Sequence, residues 1–127
     1  MTVTTGFWIA LAATLVCVAA TLRTGFLGRR RAHFVLAPAS VALLALTIVL
    51  AERMGRARLF PPAEMRIHLA FAKSAALLVL PAAVTGLMLV RRPGWRRAHV
   101  ACVALFLLVT AVALGTGAWV YSLSTPR

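Results

Sequence analysis

The side chains best suited to ligate a metal are three histidines, His33, His68 and His99, and two cysteines, Cys17 and Cys102. Two of the histidines close copies of one tetrapeptide, Arg30-Arg31-Ala32-His33 and Arg96-Arg97-Ala98-His99. Each copy opens a long apolar run. The arginines belong in water or among lipid headgroups and the run in hydrocarbon. His33 and His99 are thereby held at a boundary, both at a similar depth. Two imidazoles at one depth, on helices that are diagonal neighbours in an up-down bundle, suit one haem iron or one copper ion. The flanking arginines suit haem propionates. The plainer reading makes each an interfacial histidine that anchors a helix end and bonds headgroups or loop carbonyls.

The other candidates are weaker. Cys102 follows His99 by three residues, on the same helical face. A His33, His99 and Cys102 copper set follows from the match of thiolate and imidazole to that metal, although neither cysteine stands in a metal-ligand spacing motif. The alternative for both cysteines is small apolar packing within the spans. His68 opens the third apolar run, on the opposite side from the other two, with Met65 one turn before it. It has no evident partner histidine there and reads as an end-cap or a contact to another protein. Lys73 lies more than a turn inside that run and reads as snorkelling to the nearby interface. Both carboxylates, Glu52 and Glu64, lie outside the runs. That argues against a proton pump, an ion-coupled carrier or an intramembrane aspartyl protease. No nucleophile–base constellation and no phosphate-binding loop appears, so the chain does not read as an enzyme.

The elements that must position these residues are membrane spans. Of 127 residues 62% are hydrophobic and 13% charged, and mean hydropathy is +0.94; a soluble domain is nearer a quarter charged. Four runs are long enough to cross a bilayer, roughly Gly6–Leu22, His33–Ala51, Ile67–Val90 and His99–Leu123. No Lys or Arg precedes Arg23, so the first run reads as a retained helix rather than a cleaved signal. The net charge of +12 flanks the spans, which points to anionic lipid headgroups rather than nucleic acid. The first connection carries Arg23, Arg29, Arg30 and Arg31, and the third Arg91, Arg92, Arg96 and Arg97, neither with an acid. The positive-inside rule makes their side cytoplasmic and turns both termini outward. The expected fold is therefore all-α, a four-helix transmembrane bundle of up-down topology, with residues 1–127 as one membrane-embedded domain. Small residues recur four apart, among them Ala82/Gly86, Ala111/Gly115 and Ala113/Gly117, a spacing that lets helices approach closely. Gly115 and Gly117 are expected to serve such a contact. Pro38 is expected near a helix start, and Pro81 to kink the third helix.

From His68 onward a helix bearing Pro81, a short basic turn, Arg97-x-His99 and a last helix closing on Thr116-Gly117-Ala118-Trp119-Val120-Tyr121 follow in order. Upstream, Arg31-x-His33 opens another helix with Ser40 two turns in. This order resembles a family of small four-helix bacterial membrane proteins catalogued as domain of unknown function number 420. That family includes maturation factors for aa3-type haem-copper oxidases. The resemblance covers about three quarters of the chain. It departs in being Arg-rich and in its longer, Pro-containing middle loop. It implies an inner-membrane assembly or accessory protein of a larger respiratory complex, with His33, His68 and His99 as the matching histidines and haem b or copper as the cofactor handled. Two other readings stand beside it: a small b-type cytochrome with haem between His33 and His99, and a purely structural subunit.

Overall fold

Long apolar stretches without a polar break satisfy their backbone bonds internally only as helices. The computed structural model, which describes residues 2–127, is accordingly almost all helix. The helices are α1 (Val3–Phe26), α2 (Arg30–Gly55), α3 (Pro62–Arg91) and α4 (Arg96–Leu123). All four are long and apolar enough to cross a membrane, as a multi-pass membrane protein requires. Two two-residue strands, β1 (Arg58–Leu59) and β2 (Thr125–Pro126), pair as a minimal sheet.

The helix ends follow local chemistry. Thr2 caps α1 by accepting the Thr5 N–H at 3.2 Å. Gly28, at φ +67°, turns the chain out of α1, a left-handed conformation that glycine adopts without steric cost. Pro62 takes the first position of α3, where the missing N–H costs nothing. Pro93–Trp95 form a single 3-10 turn ahead of α4.

The helices overrun the apolar spans. α2 starts at Arg30 and α4 at Arg96, so His33 and His99 stand one turn inside their helices. Arginine is a good helix former, and nothing in Arg-Arg-Ala-His stops a helix. Pro38 consequently falls at the ninth position of α2, in the interior rather than near its start. α3 continues as helix past Pro81, whose nitrogen has no proton to donate to the Leu77 carbonyl.

Two compact units divide the chain, Met1–Arg58 with Arg127 and Leu59–Pro126. Each is an antiparallel helical hairpin, α1 with α2 and α3 with α4. Burial is inverted relative to a water-soluble fold. Most buried residues are small or hydroxylic, such as Ala10, Thr14, Ser40, Thr47, Ala75, Thr85 and Ala113, with Met54 and Val120 as the larger exceptions. Leu77, Leu80 and Leu87 are about two-thirds exposed (66, 63 and 66%). Contiguous apolar surface of this kind matches lipid. Lys73 is exposed on α3.

Candidate functional site

In the first hairpin, hydroxyls stitch the two helices. Thr14 Oγ1 and Thr47 Oγ1 lie 2.9 Å apart, and Thr21 Oγ1 and Ser40 Oγ 2.9 Å apart. Ser40 Oγ also lies 3.3 Å from Cys17 Sγ, which places that thiol inside the seam. Each hydroxyl also lies close to a carbonyl of its own helix, as Ser40 Oγ does to Leu36 O at 2.9 Å; with one proton per hydroxyl, one member of each pair donates across the seam and the other to its own helix.

His33 joins this seam at its end. Its Nδ1 lies 3.0 Å from Thr21 O. The ring rests on Gly25, where a Cβ would stand 3.3 Å from Cε1 and from Nδ1. The same arrangement recurs twice in the second hairpin. His99 Nδ1 lies 3.2 Å from Ala82 O and 3.3 Å from Thr85 Oγ1. A Cβ on Gly86 would stand 3.1 Å from its Cε1. His68 Nδ1 lies 3.3 Å from Thr116 Oγ1. A Cβ on Gly117 would stand 3.0 Å from its Cε1.

All three rings rest on a glycine of the neighbouring helix. In two of these seats a carbonyl is met as well, and it belongs to the residue four before the glycine: Thr21 before Gly25 and Ala82 before Gly86. A helical side chain covers the turn N-terminal to its own Cα. Only where that side chain is absent can a ring from the next helix reach the carbonyl's second lone pair. A carbonyl can only accept, so Nδ1 carries the proton in the neutral ring, and Nε2 carries the lone pair. Thr85 and Thr116 complete two of the seats. Their hydroxyls sit 2.7 Å from Pro81 O and 2.9 Å from Val112 O. With the hydroxyl proton spent there, Oγ1 accepts from the imidazole.

Comparison with family models, with curated proteins and with solved structures gives no match for this chain. Its reading therefore rests on the geometry of the seats.

His33 belongs to the first unit, and His68, His99 and Cys102 to the second. His68 faces the level of Thr116, and His99 that of Thr85, seventeen residues along α3 from His68. At 1.5 Å per residue their rings lie about 26 Å apart along the hairpin, so they do not share one ion. Cys102 is free and half-buried, one turn from His99. Among the described residues no three of His, Cys, Asp and Glu gather into a group able to hold a metal ion.

Arg96 and Arg97 open onto a groove of about 470 Å³ with Val100, Ala101 and Ala104. At 100° per residue that face lies about 130° round α4 from His99. The two arginines and the imidazole of this tetrapeptide thus serve different faces. Of the expected close contacts, Gly117 makes one and Gly115 does not, since nothing lies within 4 Å of a Cβ there.

Pattern reading singled out Thr116-Gly117 but not the other two Thr-Gly pairs that lie against a histidine. Thr24-Gly25, Thr85-Gly86 and Thr116-Gly117 each receive a histidine from an Arg-x-His segment, Arg31-x-His33, Arg97-x-His99 and Arg66-x-His68. The signal was the recurrence of both short motifs at opposite ends of neighbouring helices.

Proposed function

We propose that this protein is a non-enzymatic integral membrane accessory protein of a respiratory complex of the haem-copper oxidase type, handling haem or copper through the Nε2 atoms of its seated histidines. The observation that carries the reading is the seat. Metal-bound imidazoles almost always donate their other N–H to a carbonyl or carboxylate, which fixes the tautomer and the ring. All three histidines here hold Nδ1 against a helix backbone group or hydroxyl in that manner. Imidazole suits both haem iron and copper, and either would supply redox chemistry when bound. The residues of this chain orient the ring and keep Nδ1 protonated, so Nε2 is the ring nitrogen that a metal would take. The resemblance of the Arg-x-His and Thr-Gly-Ala-Trp segments to the oxidase maturation family supports the choice of complex. The purely basic first and third connections support a bacterial inner-membrane location with those connections cytoplasmic and both termini outside.

The test is native isolation with a spectrum. Protein purified from its own membranes carries oxidase subunits or a haem or copper signal, and His99→Ala weakens that signal. A colourless, copper-free protein with no copurifying respiratory subunit overturns the proposal. The second reading is a structural subunit. It is favoured by the same bonds, because histidines supply the side-chain links between α3 and α4. Under it, His99→Ala lowers the stability of the hairpin while metal content stays at zero in both proteins.

A further inference from the structure

The helices behind the two Arg-Arg-Ala-His borders match in register but differ on one face. With Arg30 laid on Arg96, Arg31 falls on Arg97 and His33 on His99. Buried Thr47 then falls on buried Ala113, and buried Met54 on buried Val120. The outward face just past the arginines breaks the match. Where α2 carries Phe34, Val35 and Pro38, α4 carries Val100, Ala101 and Ala104, smaller at each position. Those three residues, with Arg96 and Arg97, line the groove of about 470 Å³, a volume within the range of small-molecule sites. All five are exposed, on the side of α4 turned away from His99 and its seat on α3.

We infer that this groove is a specific site for one anionic phospholipid, with the lipid phosphate on Arg96 and Arg97 and an acyl chain laid along Val100, Ala101 and Ala104. Charge complementarity carries the choice of occupant. Neither guanidinium has a hydrogen-bond or ion-pair partner among the described residues. Arg91 and Arg92 stand in the same connection, which holds no acid. The one acidic side chain of this hairpin, Glu64, opens α3 at the far end, about 40 Å along the helix from Arg91. Guanidinium groups take phosphate oxygens through paired N–H bonds. The depth fits as well. Exposed Trp95 directly precedes the pair, and such rings sit at the headgroup level. Ala104 lies about 10 Å further along α4 than Arg97, so the small residues fall beneath the charges, where a chain runs. A soluble anion would use the charges and leave the groove, and a neutral lipid the reverse. The Arg30-Arg31 border has the same charges with less room, so it attracts headgroups without holding one lipid. The site requires only membrane-spanning helices and is independent of the metal-handling reading.

Full-length protein in a neutral detergent is titrated with phosphatidylglycerol and, separately, with phosphatidylcholine, and the lipids bound are counted by native mass spectrometry. Wild type should take one phosphatidylglycerol ahead of all others, and more tightly than any phosphatidylcholine. Arg96→Gln/Arg97→Gln should weaken that first site about twenty-five-fold, roughly fivefold for each basic residue at an anionic surface. Ala101→Leu/Ala104→Leu keeps every charge but fills the groove, and should weaken the site about tenfold through lost chain packing. Arg30→Gln/Arg31→Gln should leave it within about twofold of wild type, because diffuse attraction alone is lost. Leucine is a good helix former, and circular dichroism checks that each variant folds. Where the leucine pair does not, Ala104→Leu alone takes its place. Equal losses from the two arginine pairs, or a leucine variant that binds like wild type, leave diffuse attraction only and overturn the site. Equal binding of phosphatidylcholine overturns the anionic headgroup. A wild-type dimer that the leucine variant loses, with lipid binding unchanged, assigns the face to a second copy of the chain and overturns the lipid.

Discussion

Gly115 and Gly117 stand two residues apart on α4 and differ in one respect that a single methyl group can read. A Cβ at Gly115 meets nothing within 4 Å, whereas one at Gly117 meets His68 Cε1 at 3.0 Å and Nδ1 at 3.4 Å. Alanine is favoured over glycine inside a helix by about 0.8–1.0 kcal/mol. Gly115→Ala should collect most of that and stabilise the protein. Gly117→Ala collects the same backbone gain but drives the imidazole back by a few tenths of an ångström. The Nδ1 to Thr116 Oγ1 contact is already 3.3 Å, so that retreat breaks it. Side-chain hydrogen bonds between membrane helices are worth about 0.6 kcal/mol on average and up to about 1.7. The two alanine variants should therefore differ by about 0.6–1.7 kcal/mol, with Gly115→Ala the more stable. The assay is reversible unfolding in mixed micelles followed by circular dichroism. A nitrogen-15 spectrum of the histidines should show one ring perturbed by Gly117→Ala and none by Gly115→Ala. Equal stabilities for the two variants, or an undisturbed His68 ring in both, would refute the argument that glycine exists here to seat an imidazole.

Thr14 and Thr47 bridge α1 and α2 at 2.9 Å, so a Thr14→Val/Thr47→Val double-mutant cycle in micelles should return a coupling of about 0.6 kcal/mol. A coupling of zero would remove the hydroxyl seam from the account of the first hairpin. Gly28→Ala forces a side chain into φ +67° with nothing nearby to clash; it should cost about 1–2 kcal/mol of stability from backbone alone, and Gly28→Asn less. A chemical melt in which alanine is neutral contradicts that. A cysteine at exposed Gly94 should escape an impermeant thiol reagent in intact cells and react after lysis; labelling before lysis inverts the proposed orientation.

Hydropathy made the spans legible, because a bilayer demands about twenty apolar residues and a soluble helix does not. It placed His33 and His99 at helix beginnings to within a turn. The offset arose because arginine prolongs a helix that hydropathy counts as ended. The seats were harder to see. Ala82/Gly86 and Ala113/Gly117 stood out as small residues four apart, yet Ala111/Gly115 carries the same signature and faces open space. What separates them is the antiparallel register, which puts His99 opposite Gly86 and His68 opposite Gly117 and is not a property of either segment alone. Within a membrane span both faces are apolar, so no periodicity marks the buried side. The polar exceptions carried the information instead, and threonine before glycine was the one to follow.

Within each hairpin, the residues that hold the helices together are mostly alanine, glycine, serine, threonine and histidine, joined by buried Met54 and Val120, while leucine, phenylalanine and most valines crowd the outside. Assembly instructions and solvent compatibility are thus written in separate alphabets on separate positions. A designer could exchange the outward Leu77, Leu80, Leu87, Leu105 and Leu108 and their neighbours for glutamate, lysine and glutamine without touching a seat. The helices would keep their propensity and the seats their donors and acceptors. The recoloured second hairpin offers a way to carry a pair of seated histidines out of lipid and into a test tube of water.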